Sequence, residues 1–480
     1  YPFPGAANAK LRLGLVRSNG TDQRWIELGD DAEYVARLDW LHDGRLAVQT
    51  EDRRQQTLTL QAFDPQSGSK TTLLVERSEV WINLHNGLRS LKSGDFLWLS
   101  EESGFQHLAL HGADGRRKRV LSSGAWMIDR VVQVDEESGT ILVAGTLDSP
   151  LERHLYRLSF DGAEPQRLTT EPGLHTISVG PRGGRMIDLF STLESPYQIA
   201  LRGADGALLQ TLFDGAEGDP RCAQIKPPEI IEVPAADGTL LYGALFRARV
   251  AGDEPRPLVV HVYGGPHAQR VTRSWGTSID MRAQLLTERG FHVLRLDNRG
   301  SARRGLAFEG ALRFDMGKIE VEDQVAGVKF LVERGLVDPE RVGITGWSYG
   351  GYMSCMALAR APEVFKVGVA GAPVTYWEAY DTHYTERYMG LPEEQPEGYR
   401  RSSVLNQVEG IVGKLLLIHG LIDENVHFRH TARLINALIE ADKDYDLLLF
   451  PDERHMPRKE ADRLYMERRV LRYFEKHLGT

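Results

Sequence analysis

Cysteine is nearly absent from this chain: Cys222 and Cys355 are the only two in 480 residues. They fall in different parts of the chain, one in a linker and one on a helix. A disulfide framework is therefore excluded, and so is a cysteine-based zinc site. Two free thiols are expected, with Cys355 packed in a core. A disulfide-free protein can live in cytoplasm or periplasm, so the compartment stays open. Long apolar runs are also missing. Stretches such as Lys414-Leu-Leu-Leu-Ile-His419 have the length of a strand and fall far short of a membrane span. No basic run stands out against a net charge of −9, which argues against a nucleic-acid partner. Neither a metal nor an organic cofactor is implied. No signal-peptide pattern is read at the start, and the chain opens on Tyr1 rather than Met.

The apolar fraction of 41% and charged fraction of 26% belong to a folded globular chain, long enough for two or three domains. Its first half is repetitive. Asp43-Gly44, Ser93-Gly94, Ser138-Gly139 and Gly183-Gly184 each precede a short apolar strand pattern. A second set of turns follows: Asp64-Pro65, Asp114-Gly115, Asp161-Gly162 and Asp205-Gly206. The period is about 45 residues, in the range of propeller blades. Asp-Gly between alternating apolar runs signals a hairpin whose two turn positions take positive φ. The expectation is a partial β-propeller of about four blades over residues 1–220. Asp214-Gly-Ala-Glu-Gly-Asp-Pro220 and Pro227-Pro228 then break the period as a linker. Over residues 221–480 strand runs such as Leu258-Val-Val-His-Val-Tyr263 and Phe291-His-Val-Leu-Arg-Leu296 alternate with helical segments. That alternation implies an α/β domain with a mostly parallel sheet covered by helices on both faces. Glu460 to Leu478 has the pattern of a charged amphipathic closing helix.

The chemistry is carried by Arg341-Val-Gly-Ile-Thr-Gly-Trp-Ser-Tyr-Gly-Gly-Tyr352. Gly346-Trp-Ser348-Tyr-Gly350 fits a nucleophile elbow, with an apolar strand running in and a helix running out. A serine hydroxyl is a poor nucleophile at neutral pH and needs a base held in one tautomer by a carboxylate. In an α/β hydrolase the chain order is Ser, then Asp or Glu, then His. The next strand with a carboxylate at its end is Leu415-Leu-Leu-Ile-His-Gly-Leu-Ile-Asp423, where Glu424 competes with Asp423. The final strand ends in Phe450-Pro-Asp-Glu-Arg-His455, which makes His455 the candidate base. His419, His427 and His430 compete, but they share the segment of Asp423 and would break the order. Oxyanion donors are expected from the Tyr349 amide and from the loop His261-Val-Tyr-Gly-Gly-Pro266, where Tyr263 offers a phenol.

These residues resemble the dipeptidyl peptidase IV subfamily of prolyl oligopeptidase-type serine peptidases, nearest to its bacterial members and to dipeptidyl peptidases 8 and 9. The resemblance spans nearly the whole chain. It includes Tyr1-Pro-Phe-Pro-Gly5, Ser100-Glu-Glu-Ser-Gly-Phe-Gln-His107, His261-Val-Tyr-Gly-Gly-Pro266 and Asn298-Arg-Gly-Ser301. It continues through Phe308-Glu-Gly-Ala311, Glu320-Val-Glu-Asp-Gln324 and Tyr384-Thr-Glu-Arg-Tyr-Met-Gly390 to Asp423-Glu-Asn-Val-His-Phe428 and Glu453-Arg-His455. The family pattern favours Asp423 over Glu424. It implies release of dipeptides from a free amino terminus after proline and, less well, alanine. Tyr263 and the Tyr349 amide would form the oxyanion hole. Val374, Trp377, Tyr380, Tyr384 and Val426 would line a proline pocket, and Asn425 would bond the substrate carbonyl. A flat aromatic box suits a pyrrolidine ring and excludes larger side chains. Homodimerisation through the hydrolase domain is implied by analogy only.

In the family a glutamate pair upstream of the Tyr-Pro block binds the substrate ammonium, and this sequence opens at that block. A fragment or one piece of a nicked protein is therefore expected. Glu101-Glu102 belongs to a different motif and is expected to be a pair of solvated turn carboxylates. An oligopeptidase, tripeptidyl peptidase or acylaminoacyl peptidase on the same scaffold is the alternative enzyme. A catalytically silent propeller used for docking is the alternative from another class, disfavoured by the intact Ser348.

Overall fold

The computed structural model describes residues 1–180, 184–252 and 254–479. Its first part consists of four four-stranded antiparallel sheets, each a meander in chain order. They run from Tyr34–Trp40 to Lys70–Arg77, Arg89–Ser90 to Arg117–Val120, Ile128–Asp135 to Gln166–Arg167, and Leu174–Val179 to Leu208–Asp214. A two-stranded pair, Leu13–Leu15 with Arg24–Ile26, precedes them. The apolar alternation of each strand splits its side chains between two neighbours. Trp98 packs with Leu58 and Leu60 of the first sheet, whereas Leu97 and Leu99 pack with Ile128, Ile141 and Val143 of the third. Consecutive sheets are thus stacked face to face. Local contacts repeat as well: Ser122 Oγ and Thr169 Oγ1 each lie 3.0 Å from a histidine Nδ1, of His107 and His154 respectively.

The turn chemistry departs from the sequence expectation. Gly44, Gly115, Gly162 and Gly206 take positive φ, between 80° and 89°, but the aspartates before them do not. Each aspartate instead accepts from the amide two residues on, as in Arg45 N–H to Asp43 Oδ1 at 3.0 Å. Leu41 bonds both Gly44 and Arg45 through its backbone, a three-residue loop with the left-handed residue third. Gly183 of the Gly183-Gly184 turn lies outside the described residues.

The second part is built on one eight-stranded sheet. In chain order its strands are β1 (Glu229–Pro234), β2 (Leu240–Phe246), β3 (Arg256–His261), β4 (His292–Asp297), β5 (Val337–Trp347), β6 (Val367–Gly371), β7 (Lys414–Gly420) and β8 (Asp446–Phe450). Their spatial order is β1-β2-β4-β3-β5-β6-β7-β8. The pairings β1–β2 and β2–β4 are antiparallel and the other five are parallel. The period-2 pattern divides each central strand between two cores. Leu258 and Val260 of β3, with Leu415 and Leu417 of β7, face helices Ile319–Glu333, Tyr349–Arg360 and Arg429–Glu440. Val259, Leu416 and Ile418 face helices Met281–Glu288 and Glu460–Leu478. Both faces are covered, so the strands read as continuous apolar runs. Both cysteines are free, and Cys355 is buried. Among the described residues no helix is long and apolar enough to cross a membrane.

Candidate active site

Strand β5 enters the sheet centre between β3 and β6 and ends at Trp347; the helix Tyr349–Arg360 starts two residues later. Ser348 makes the turn alone, at φ 59° and ψ −115°. A β-substituted residue held at positive φ is strained, and surrounding structure must over-determine it. Here it does. Ser348 N–H donates to the Gly371 carbonyl at 2.8 Å. A Cβ on Gly346 would lie 2.4 Å from the Val262 carbonyl oxygen, one on Gly350 2.3 Å from the same atom, and one on Gly351 2.3 Å from the Gly371 oxygen. Those glycines are required by backbone against backbone.

Asp423 lies in the loop after β7 and is 5% exposed. Its Oδ1 accepts from the Asn425 and Val426 amides, each at 2.9 Å, and its Oδ2 lies 2.8 Å from His455 Nδ1. Burial pushes this carboxyl up, but hydrogen bonds from His419 and His455 outweigh it and hold the group well below the usual carboxylate range. In a neutral imidazole whose Nδ1 donates to the carboxylate, Nε2 carries the lone pair. His455 follows β8, and Trp347 Nε1 donates to its carbonyl at 2.6 Å. Ser348 Oγ has no hydrogen-bond partner among the described residues. In the absence of substrate such contacts are commonly long and tighten in the reacting complex. Glu424, the competing carboxylate, pairs with Arg454 in solvent.

Tyr263 follows β3. A Cβ on Gly265 would lie 2.7 Å from Tyr349 Cγ, so the glycine lets the two rings meet with centroids 6.1 Å apart. Burial raises the Tyr263 phenol above its ordinary range, so it stays a donor. Tyr349 is the first helical residue, whose amide has no partner within its own helix. Its hydroxyl donates to Glu320 Oε1 at 2.6 Å.

Trp377, Tyr380 and Tyr384 form one aromatic cluster, with Trp377 stacked at 6.1 Å from Tyr384 and Tyr380 edge-on at 5.4 Å from Tyr384. Tyr349 packs 5.6 Å from Trp377, and Val374 and Val426 are buried. Tyr380 donates to Asn425 Oδ1 at 2.7 Å, which leaves the Asn425 amide N–H groups to point elsewhere.

Sequence reasoning missed several contacts at this corner. Tyr1 donates to the Asn425 carbonyl at 2.8 Å and stacks on His427 at 5.1 Å. Arg53 binds Glu386, on the helix Thr382–Met389 that carries Tyr384, through two contacts of 2.7 Å. None leaves a pattern in the chain, because the partners are hundreds of residues apart. One expectation is corrected. Glu102 is exposed, but Glu101 is not a solvated carboxylate. Asn83 donates to it at 2.9 Å, and burial, with Glu309 close by, pushes its carboxyl up to about 8. The turn folds that side chain inward against the Phe308-Glu-Gly-Ala311 block, where Asn83 bridges to Glu309 at 2.7 Å.

A mixed sheet of this strand order, with a strained serine between its central strand and the following helix, defines the α/β-hydrolase class. Comparison with known proteins narrows the class. Residues 277–480 match the model of the prolyl oligopeptidase family, and residues 1–197 match the dipeptidyl peptidase IV (DPP IV) N-terminal region. Together the two matches span most of the chain and liken its second part to the prolyl oligopeptidase family. Dipeptidyl peptidase 8 of Homo sapiens is 33% identical over an alignment 563 positions long, gaps included, covering 100% of this chain and 62% of that protein. The Mus musculus protein of the same name is also 33% identical, with 100% and 63% covered. The crystal structure of Porphyromonas gingivalis dipeptidyl peptidase 4 superposes with a TM-score of 0.94 at 28% identity, over 100% of this chain and 68% of that one. The chain therefore spans about three-fifths of the length of these two curated relatives.

Proposed function

We propose that this chain acts in a serine exopeptidase that releases dipeptides from the free amino terminus of peptides with proline, or less well alanine, at the second position. In this reading residues 1–220 are propeller blades and residues 221–480 the catalytic α/β-hydrolase domain, with homodimerisation through the latter. The observation that carries it is the Asp423–His455 hydrogen bond, with the His455 carbonyl tied to Trp347 beside the strained Ser348.

A proline side chain sits between Trp377, Tyr380 and Tyr384, with Val374 and Val426 beside it, while the Asn425 amide donates to the carbonyl of the preceding residue. Ser348 Oγ attacks the scissile carbonyl carbon as His455 Nε2 takes its proton. The carbonyl π electrons move onto oxygen, where the Tyr349 N–H and the Tyr263 hydroxyl stabilise the oxyanion. Asp423 stabilises the imidazolium. Collapse expels the amine, which takes the proton from His455, and leaves an ester on Ser348. Water then attacks that ester with His455 as base; the acyl–Oγ bond breaks, His455 returns the proton to Ser348, and the dipeptide is freed.

The test is cleavage of Gly-Pro and Ala-Pro chromogenic amides with a free and with a blocked amino terminus. Turnover of the free substrates is expected, with none in Ser348→Ala. Activity confined to the blocked substrates would overturn the exopeptidase reading. Undiminished turnover in Ser348→Ala would overturn the nucleophile.

A further inference from the structure

Asp423 has more donors than the orienter of one histidine requires. Besides the two amides on Oδ1 and His455 on Oδ2, His419 Nε2 lies 3.2 Å from the same Oδ2. Two imidazoles share one carboxylate oxygen. His419 stands next to last in β7 and is completely buried. Its tautomer follows from its partners. Nε2 faces two acceptors, Asp423 Oδ2 and the Val426 carbonyl at 2.8 Å, so the proton is on Nε2. Nδ1 then accepts from the Thr431 hydroxyl at 2.7 Å. Phe428 packs edge-on against the ring at 5.5 Å and holds its plane.

We propose that His419 is a positioning residue for this reaction: its Nε2–H clamps the 423–426 loop and keeps Asp423 Oδ2 aligned with His455. The inference rests on the triad reading given above. One imidazole thereby couples the orienting carboxylate to Asn425 and Val426, the loop residues assigned to substrate.

The clamp has an electrostatic consequence besides the geometric one. A donor on a carboxylate takes up part of its charge. Without that donor, Asp423 holds the His455 imidazolium more tightly, and the base is protonated at a higher pH. The neighbouring ionisable groups do not mimic this. His430, beyond Thr431, is pushed down to about 3 by burial, and Tyr1 is raised to about 12 by burial. His427, Arg429 and the exposed Glu424–Arg454 pair are common to all variants compared.

The experiment uses the full chain with His419→Phe, His419→Gln and Thr431→Val. It measures kcat, KM and the acid limb of kcat/KM on Gly-Pro-p-nitroanilide, and fluorophosphonate labelling with Ser348→Ala as the blank. In His419→Phe we expect kcat to fall ~10–100-fold and the acid limb to move up by ~0.5–1 pH unit, with KM little changed. His419→Gln, which keeps an amide donor in reach, should restore kcat to within about threefold and return the limb. Thr431→Val frees the ring from one side and should shift the limb in the same direction by less. A wild-type limb and kcat in His419→Phe would overturn the proposal. If that variant does not fold, an unmoved limb in Thr431→Val would overturn it. Persisting turnover or labelling in Ser348→Ala would instead sink the triad reading itself.

Discussion

Trp347 and His455 are joined directly: the indole Nε1 of the residue before the elbow serine donates to the carbonyl of the histidine, 2.6 Å away. The ring itself lies flat on β6, where a Cβ on Gly371 would meet Trp347 Cε3 at 2.0 Å. The loop after β8 is therefore tied to the elbow through its backbone, and the imidazole is left to the carboxylate. Trp347→Phe keeps the ring and removes the tie. One buried hydrogen bond is worth about 1 kcal/mol, so kcat/KM should fall about 3–10-fold through kcat, with KM preserved. Steady-state kinetics decide; a pure KM effect would show that the tie serves substrate binding instead.

Tyr263→Phe isolates the proposed phenolic oxyanion donor. The ring still packs against Tyr349, so the fold is expected to be unaffected. Loss of one such donor should lower kcat by ~10²–10³ while KM moves little. A variant with wild-type kcat would leave the Tyr349 amide without its proposed partner.

Glu320 carries a pH prediction for stability. Burial pushes its carboxyl up from 4.5 to about 7, against hydrogen bonds from the Tyr349 hydroxyl and the Gly317 amide that favour the charged form. The folded chain therefore binds this proton more tightly than the unfolded chain does. Its contribution is complete below about 4.5 and is lost as pH rises through about 7. Glu320→Gln has no such slope. The variant should gain ~1–3 kcal/mol relative to the parent between pH 4 and pH 8, read as a widening difference in Tm. Parallel Tm curves across that window would contradict it.

Arg53 and Glu386 link the first sheet to the helix under the aromatic cluster. The Glu386 side chain is only 2% exposed and also accepts the Gly5 amide at 2.8 Å. Arg53→Ala leaves that carboxylate buried without its cation, at a cost of about 3 kcal/mol. The Tm should drop, and KM should rise more than kcat falls, because Tyr384 shares the helix with Glu386. Adding Glu386→Gln to Arg53→Ala should recover part of the loss; calorimetry of the four variants measures the coupling.

The chemistry was legible wherever it is written in adjacent residues. The elbow pattern is local because the backbone contacts that require Gly346 and Gly350 surround a single turn. The two cores on either side of the large sheet were legible because continuous apolar strands imply two covered faces, and the closing helix runs from Glu460 to Leu478 as its pattern implied. The hairpin turns were read only in part. Asp-Gly marks their place, but whether the aspartate takes positive φ depends on loop length, and three-residue loops spare it.

Periodicity by itself determined that this chain alternates strands and helices after the linker, and one local motif put Ser348 on an elbow; Asp423 and His455 were candidates from the chain order of that fold class and the family resemblance. Tertiary structure decided which oxygen of Asp423 each histidine shares, that Glu101 turns inward, and that Arg53 reaches Glu386. Periodicity records which face of an element is buried, because burial acts on every residue of that face. A hydrogen bond between two distant side chains acts on two residues only and leaves no period, so it becomes visible only when the fold has brought them within 3 Å.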